Sequence, residues 1–152
     1  MSPERADLSP LGNDIESMLP GALDTVRFDT PKIDTLLSNL RFVAELLSEA
    51  PMPFAGPALI FRTRDNAVRT VPIGASLRFG RSHENHISFP DLREVSRHHF
   101  TISVHGDEFV LTDANSANGT FIRGNPARIQ THHLRDGDVV EAAGILFAFI
   151  RS

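Results

Sequence analysis

The fold is decided by residues 95–121, which read VSRHHFTISVHGDEFVLTDANSANGTF. Two runs within this stretch, FTISV and EFVLTD, are rich in the Val, Ile, Thr and Phe residues that are enriched in β-strands. The sequence HGD at 105–107 separates the two runs, and so short a connection with a glycine is typical of a β-hairpin. The polar sequence DANSANGT that follows favours a loop. The stretch therefore predicts two paired strands with a polar loop on each side.

Similar short runs occur before and after this hairpin. They read ALIFRT, TVPI, SLRFG, TFIR, DVVEAA and ILFAFI. Because no helical segment separates them, residues 54–152 are predicted to form an all-β domain, an antiparallel β-sandwich or barrel. We expect its core to contain the apolar residues of these strands: Leu59, Phe61, Leu77, Phe79, Phe100, Ile102, Phe109, Leu111, Phe121, Val139, Phe147 and Phe149.

The N-terminal third of the chain has a different character. Residues 1–53 carry four basic and nine acidic side chains, whereas residues 54–152 carry eleven basic and ten acidic ones. The sequence APMPFAGP at 50–57 cannot continue a helix, so we place a domain boundary there, between residues 53 and 54. Upstream of it, Thr30-Pro31 precedes apolar residues at helical spacing. We therefore predict an acidic N-terminal extension, 1–53, with a helix at about 31–49.

Composition excludes several classes of function. Neither part of the chain has the positive excess that binding to nucleic acid requires. The chain has no cysteine, which removes disulfides and thiolate sites, and no apolar run approaches the roughly 20 residues that span a bilayer. The seven histidines lack the ligand spacing of a closed zinc site. We expect a cytoplasmic protein with no metal, no cofactor, and no nucleic-acid or membrane partner.

Three polar motifs lie between the predicted strands. They are Gly80-Arg81-Ser82, Ser96-Arg97-His98-His99 and Ser116-Ala117-Asn118-Gly119-Thr120. These motifs lie within the longer segments GRSHENHISFPDLREVSRHHF and LTDANSANGTF, which LRDGDVV follows. Taken in this order, the segments resemble the forkhead-associated (FHA) domain over about residues 57–150. The resemblance implies an FHA-like antiparallel β-sandwich, here preceded by the helical extension. It also implies a module without enzymatic activity that binds a phosphothreonine peptide in signalling.

The resemblance further implies roles for particular residues. Arg81 would make a charge-assisted contact with the phosphate, and Asn118 would hold the peptide backbone beside the phosphothreonine. The implied phosphopeptide-binding residues are Arg81, Ser96, Arg97, Asn118, Ser116 and Ser82. Structural support is implied for Gly80, His99 and Gly119. A hydrolase built on Ser96 and His99 is not favoured, because the sequence has no nucleophile-elbow motif.

The expected partners are a threonine-phosphorylated protein and a Ser/Thr kinase acting upstream of it. The ligand could also be the protein's own N-terminal segment, with Thr30 as the phosphosite, because FHA domains often favour an aliphatic or acidic residue at the position that Ile33 occupies. Thr30 has a second interpretation as the cap of the predicted helix. The whole protein also has an alternative interpretation, a phospho-independent FHA-fold scaffold that acts through its N-terminal helix and a sandwich face.

Overall fold

A computed structural model describes residues 30–50 and 56–151 of the chain. Within these ranges one helix precedes ten strands. Helix α1 spans Thr30–Glu49, where the sequence predicted about 31–49. The strands are β1 (Ala58–Arg62), β2 (Val68–Pro72), β3 (Ser76–Gly80), β4 (Ile87–Ser88), β5 (Phe100–His105), β6 (Glu108–Asp113), β7 (Thr120–Ile122), β8 (Thr131–His133), β9 (Val139–Ala142) and β10 (Ile145–Ile150).

The strands form two five-stranded sheets, with the orders β2-β1-β10-β9-β7 and β4-β3-β5-β6-β8. Neighbouring strands are antiparallel except for β3 and β4, which run parallel with Phe79 opposite Ile87. The predicted β-sandwich is confirmed, but its second sheet is mixed and not purely antiparallel. Strands β4 and β8 were not predicted, because two or three residues are too few to show a periodic pattern.

The core between the sheets is largely aromatic. The Phe147 ring lies 4.9 Å from that of Phe79, 5.1 Å from that of Phe61 and 5.4 Å from that of Phe100, measured between centroids. The expectation for Phe121 was wrong, because its side chain is only half-buried while both its neighbours on β7 are buried. Side chains alternate between the two faces of a strand, so the sequence TFI buries its first and third residues.

Helix α1 packs on the outer face of the first sheet. Val43 and Leu46 of the helix, and Ala50 directly after it, form an apolar cluster with residues of β1, β9 and β10, namely Ile60, Val139, Ala148 and Ile150. Arg62 donates two hydrogen bonds of 2.9 Å to the Glu49 carboxylate. Thr35–Ser152 accordingly form one compact unit that contains the helix from Thr35 onward and the sandwich. The boundary between residues 53 and 54 stays a prediction from composition.

Replacing Leu46 tests the packing of this helix. Leu46→Ala is expected to lower the free energy of unfolding by about 2–5 kcal/mol, because the side chain is 1% exposed and its loss leaves a cavity. Leu46→Met keeps the volume and should cost less than about 1.5 kcal/mol. Urea denaturation measures both values. A loss below 1 kcal/mol in Leu46→Ala would mean that the helix does not pack there in solution.

Candidate functional site

Three loops that contact one another contain the predicted site residues. We call them loop A (81–86, between β3 and β4), loop B (89–99, between β4 and β5) and loop C (114–119, between β6 and β7). The Arg81 N–H donates to the carbonyl oxygen of Ser96 at 2.9 Å. The Ala117 N–H donates to the Ser96 hydroxyl oxygen, also at 2.9 Å. Loops A and C therefore both bind to the same residue of loop B.

The contact between loops A and B leaves no room for a side chain at Gly80. A Cβ atom there would overlap the carbonyl oxygen of Arg97 and lie 2.7 Å from Nδ2 of Asn85. Asn85 is buried, and its Nδ2 donates to the carbonyl oxygens of Ser82 and Arg97, each at 2.8 Å. Asn85 was not among the predicted site residues, because in sequence a buried asparagine looks the same as one in an exposed turn.

The His99 side chain links loop B to loop C through hydrogen bonds of its two ring nitrogens. Its side chain is fully buried, the Ser96 N–H donates to Nδ1 at 3.1 Å, and Nε2 lies 3.0 Å from the carbonyl oxygen of Gly119. Because Nδ1 accepts a hydrogen bond, the ring proton must be on Nε2, which donates to Gly119. Gly119 has a φ of 92°, a left-handed conformation that favours glycine. The structure thus places His99 and Gly119 together under the loops.

Arg81 presents a charge that no carboxylate of the described residues balances. Its side chain is half-buried, and its Nη1 donates to the carbonyl oxygens of Arg93 and Val95 at 3.3 and 3.2 Å. Among the residues that the structure describes, no carboxylate oxygen lies within 4.0 Å of Arg81 or of the exposed Arg97. A guanidinium has five N–H donors, so most of those of Arg81 remain able to bind an anion.

Other polar groups beside Arg81 also keep hydrogen-bonding capacity. The Ser96 hydroxyl oxygen accepts from Ala117, which leaves its own proton to donate. Asn118 donates from Nδ2 to the carbonyl oxygen of Glu94 at 2.9 Å, and its Oδ1 can still accept an N–H. Ser82 is half-buried in loop A, where its hydroxyl oxygen accepts a long hydrogen bond of 3.4 Å from the Glu84 N–H.

Ser116 has a different environment from the other predicted residues. It is 4% exposed, its hydroxyl donates to Oδ1 of Asp113 at 2.6 Å, and its oxygen accepts from the Gly119 N–H at 3.0 Å. The hydroxyl therefore donates to the end of β6 and accepts from loop C. We propose that Ser116 supports the loop, in place of the ligand contact expected from the sequence.

Asp113 and Arg128 extend this support. Oδ1 of Asp113 also accepts from the Thr120 hydroxyl at 2.7 Å, and Nη2 of Arg128 donates to Oδ2 of Asp113 at 3.0 Å and to the carbonyl oxygen of Ser116 at 2.7 Å. Burial raises the pKa of Asp113, but hydrogen bonds from Ser116, Thr120 and Arg128 outweigh it and hold the pKa below its ordinary value. Sequence reasoning missed both residues, since neither a strand-end aspartate nor a loop arginine carries a motif.

The lowered pKa of Asp113 makes stability depend on pH. The unfolded chain binds this proton at a higher pH than the folded one, so the stabilisation is complete above about pH 4 and is lost as the pH falls through the folded pKa. Asp113→Asn should therefore reduce the slope of unfolding free energy against pH as the pH falls below about 4. Asp107→Asn is the control, because that side chain is 97% exposed. Equal slopes in Asp113→Asn and the parent chain would contradict this role.

The histidines form no metal cluster in the described part of the chain. No three His, Asp or Glu side chains lie close enough there to hold an ion. The neighbours His132 and His133 each lie beside a different carboxylate, that of Asp138 at 3.0 Å and that of Glu108 at 3.1 Å. Within the same ranges, no helix is long and apolar enough to cross a membrane.

Cationic and hydroxyl donors on the loops at one end of a β-sandwich are typical of domains that bind ligands through their loops. Comparison with known proteins specifies the family. The FHA domain family model matches residues 77–142. An ABC transporter ATP-binding/permease protein from Mycobacterium tuberculosis is 39% identical over 79 residues, which are 52% of this chain but only 9% of the transporter.

Two solved structures extend the comparison. The FhaA FHA domain, complexed with the intracellular domain of Rv3910, is 30% identical with a TM-score of 0.51, and the match covers 61% of this chain and 98% of that one. An FHA domain from an analysis of phosphothreonine-dependent interactions is 28% identical with a TM-score of 0.54, covering 64% of this chain and 98% of that one. This chain belongs to the FHA domain family.

Proposed function

We propose that loops A, B and C bind a phosphothreonine peptide, and that the chain mediates phosphorylation-dependent protein–protein interaction in signalling. The observation that carries this proposal is that Arg81 and Asn118 both hydrogen-bond to carbonyl oxygens of residues 93–95, next to Ser96, and that each of the three side chains has unused hydrogen-bonding capacity. A phosphothreonine carries a charge of about −1.5 to −2 and three strong acceptor oxygens. It therefore matches an uncompensated guanidinium beside a hydroxyl donor.

Arg81 is the main phosphate contact in this proposal. Two backbone carbonyls already hold its Nη1, so little side-chain entropy is lost when the remaining N–H groups bind phosphate oxygens. Such charge-assisted hydrogen bonds are about twice as strong as neutral ones. The Ser96 hydroxyl donates to a second oxygen, and Arg97 and Ser82 bind at the rim.

Asn118 contacts the peptide backbone. Its Oδ1 accepts a peptide N–H next to the phosphothreonine, while the bond from Nδ2 to Glu94 keeps the amide in place. His99, Gly119 and Ser116 hold loop C in the conformation that presents this side chain. An amide that both donates and accepts suits an extended backbone, which offers both groups.

The relatives support a phosphorylated protein as the partner. One was solved in a study of phosphothreonine-dependent FHA interactions, and another was solved in complex with an intracellular domain. By analogy, the ligand of this chain is a threonine-phosphorylated protein, and a Ser/Thr kinase produces it. The role is recognition, with no catalytic step.

Arg81→Ala should weaken binding of a phosphothreonine peptide, selected from a degenerate library, by about 10- to 150-fold, because a hydrogen bond to a charged group contributes about 1.5–3 kcal/mol. Arg135→Ala is the control, since Arg135 is exposed in the connection between β8 and β9. Isothermal calorimetry gives the affinities, and thermal unfolding verifies that each variant folds.

Unchanged affinity in folded Arg81→Ala would reject this phosphate site. The unphosphorylated form of the peptide should show no measurable binding. If both forms bound equally well, the phospho-independent scaffold would replace the proposed function.

Thr30 remains a candidate ligand within the chain. Helix α1 begins at Thr30, so residues 31–33 form its first turn, whereas an FHA ligand is expected to be extended. Binding must unwind that turn, and tethering to the domain can offset the loss by an effective concentration of about millimolar. A peptide of residues 25–37 phosphorylated at Thr30 should bind the Thr30→Ala chain and compete with the library peptide. Absence of binding at millimolar peptide would leave Thr30 as a helix cap.

A further inference from the structure

Helix α1 has a second apolar face that the sandwich does not cover. In the described ranges, the exposed large apolar side chains all lie on this helix: Leu36 is 57% exposed, Leu37 54%, Leu40 56% and Leu47 37%. The face next to it is buried, with Leu46 only 1% exposed. Apolar residues grouped in this way on the surface of a monomer mark a site of interaction.

Four residues of this face follow the spacing of a helix-pairing seam. Leu37, Leu40, Ala44 and Leu47 succeed one another at intervals of three, four and three residues, which is the a/d spacing of coiled coils. We call these four residues the leucine row. At a rise of about 1.5 Å per residue, the row is about 15 Å long. It contains no charged residue that would oppose burial.

The spacing of the leucine row allows the rows of two copies of the chain to pair with each other. Its intervals read the same in both directions about position 42, so an antiparallel helix related by a two-fold axis sets Leu37 against Leu47 of the second copy. The same axis sets Leu40 against Ala44, a large side chain against a small one. On the flank, antiparallel pairing brings the Arg41 of each copy toward both the Arg41 and the Glu45 of the other, so these charges nearly balance and the apolar row carries the pairing.

We propose that the leucine row is a homodimer interface, in which two copies of the chain pair through antiparallel α1 helices. The surface area that one short row per copy can bury is smaller than the roughly 800 Å² per partner of a standard stable interface. We therefore expect a weak dimer. Each dimer contains two FHA domains, which would favour partners that carry two phosphothreonines if the proposed function holds.

Sedimentation velocity of the full chain between about 1 and 200 µM tests the dimer without any phosphopeptide. The parent chain should shift from monomer to dimer over this range. Leu40→Glu should remain monomeric up to the highest concentration, while Ala75→Glu, which adds the same charge at an exposed turn between β2 and β3, should dimerise like the parent. A parent chain that is monomeric throughout, or Leu40→Glu that dimerises normally, would overturn the proposal.

The absence of cysteine from the chain allows the orientation to be tested by cross-linking. The double variant Leu37→Cys, Leu47→Cys should form a disulfide-linked dimer on mild oxidation. Leu37→Cys alone should not, because antiparallel pairing separates the two copies of residue 37 by about 15 Å, beyond the reach of a disulfide. Cross-linking by the single variant, or none by the double variant, would overturn the antiparallel pairing. Both readouts are independent of peptide binding, so they stand or fall separately from the proposed function.

Discussion

The buried imidazole of His99 is the contact on which the rest of the candidate site depends. The sheet brings the ends of two loops together, because Phe100 at the start of β5 pairs with Asp113 at the end of β6. His99 then fixes how the loops continue, since its two ring nitrogens bind the backbone of Ser96 and of Gly119. Both nitrogens are satisfied in the neutral ring, so full burial costs little. This one side chain therefore links the loop that carries Ser96 to the loop that carries Asn118.

The same geometry explains why an anion suits the site. The contacts that hold Arg81 and Asn118 run to backbone carbonyls, and the Ser96 hydroxyl is held by a backbone N–H. None of these contacts neutralises the charge of Arg81. Arg81, Ser96 and Asn118 are thus held in place by neutral groups, and the positive charge of Arg81 stays available to an anion. A site organised before binding loses less conformational entropy when the ligand arrives.

Much of this arrangement could be predicted from the sequence, and the exceptions have physical causes. The alternating strands and the loop motifs indicate the sandwich and the residues that its loops carry. The helical pattern of α1 does not reveal that Leu46 is buried and Leu47 exposed, because two apolar faces lie side by side. The enclosure of Ser116 depends on Arg128 and Asp113, which are distant in sequence from the serine motif or carry no motif of their own.

Binding of a phosphothreonine peptide by loops A, B and C is tested most directly by nuclear magnetic resonance. The isotope-labelled full chain is titrated with the peptide, and the chemical shifts of the backbone amides are recorded. We predict that the largest shifts fall in residues 81–86, 93–99 and 114–119, and that the unphosphorylated peptide leaves these amides unchanged. Shifts concentrated on helix α1 or on the strand faces would contradict it. So would equal shifts with both peptides.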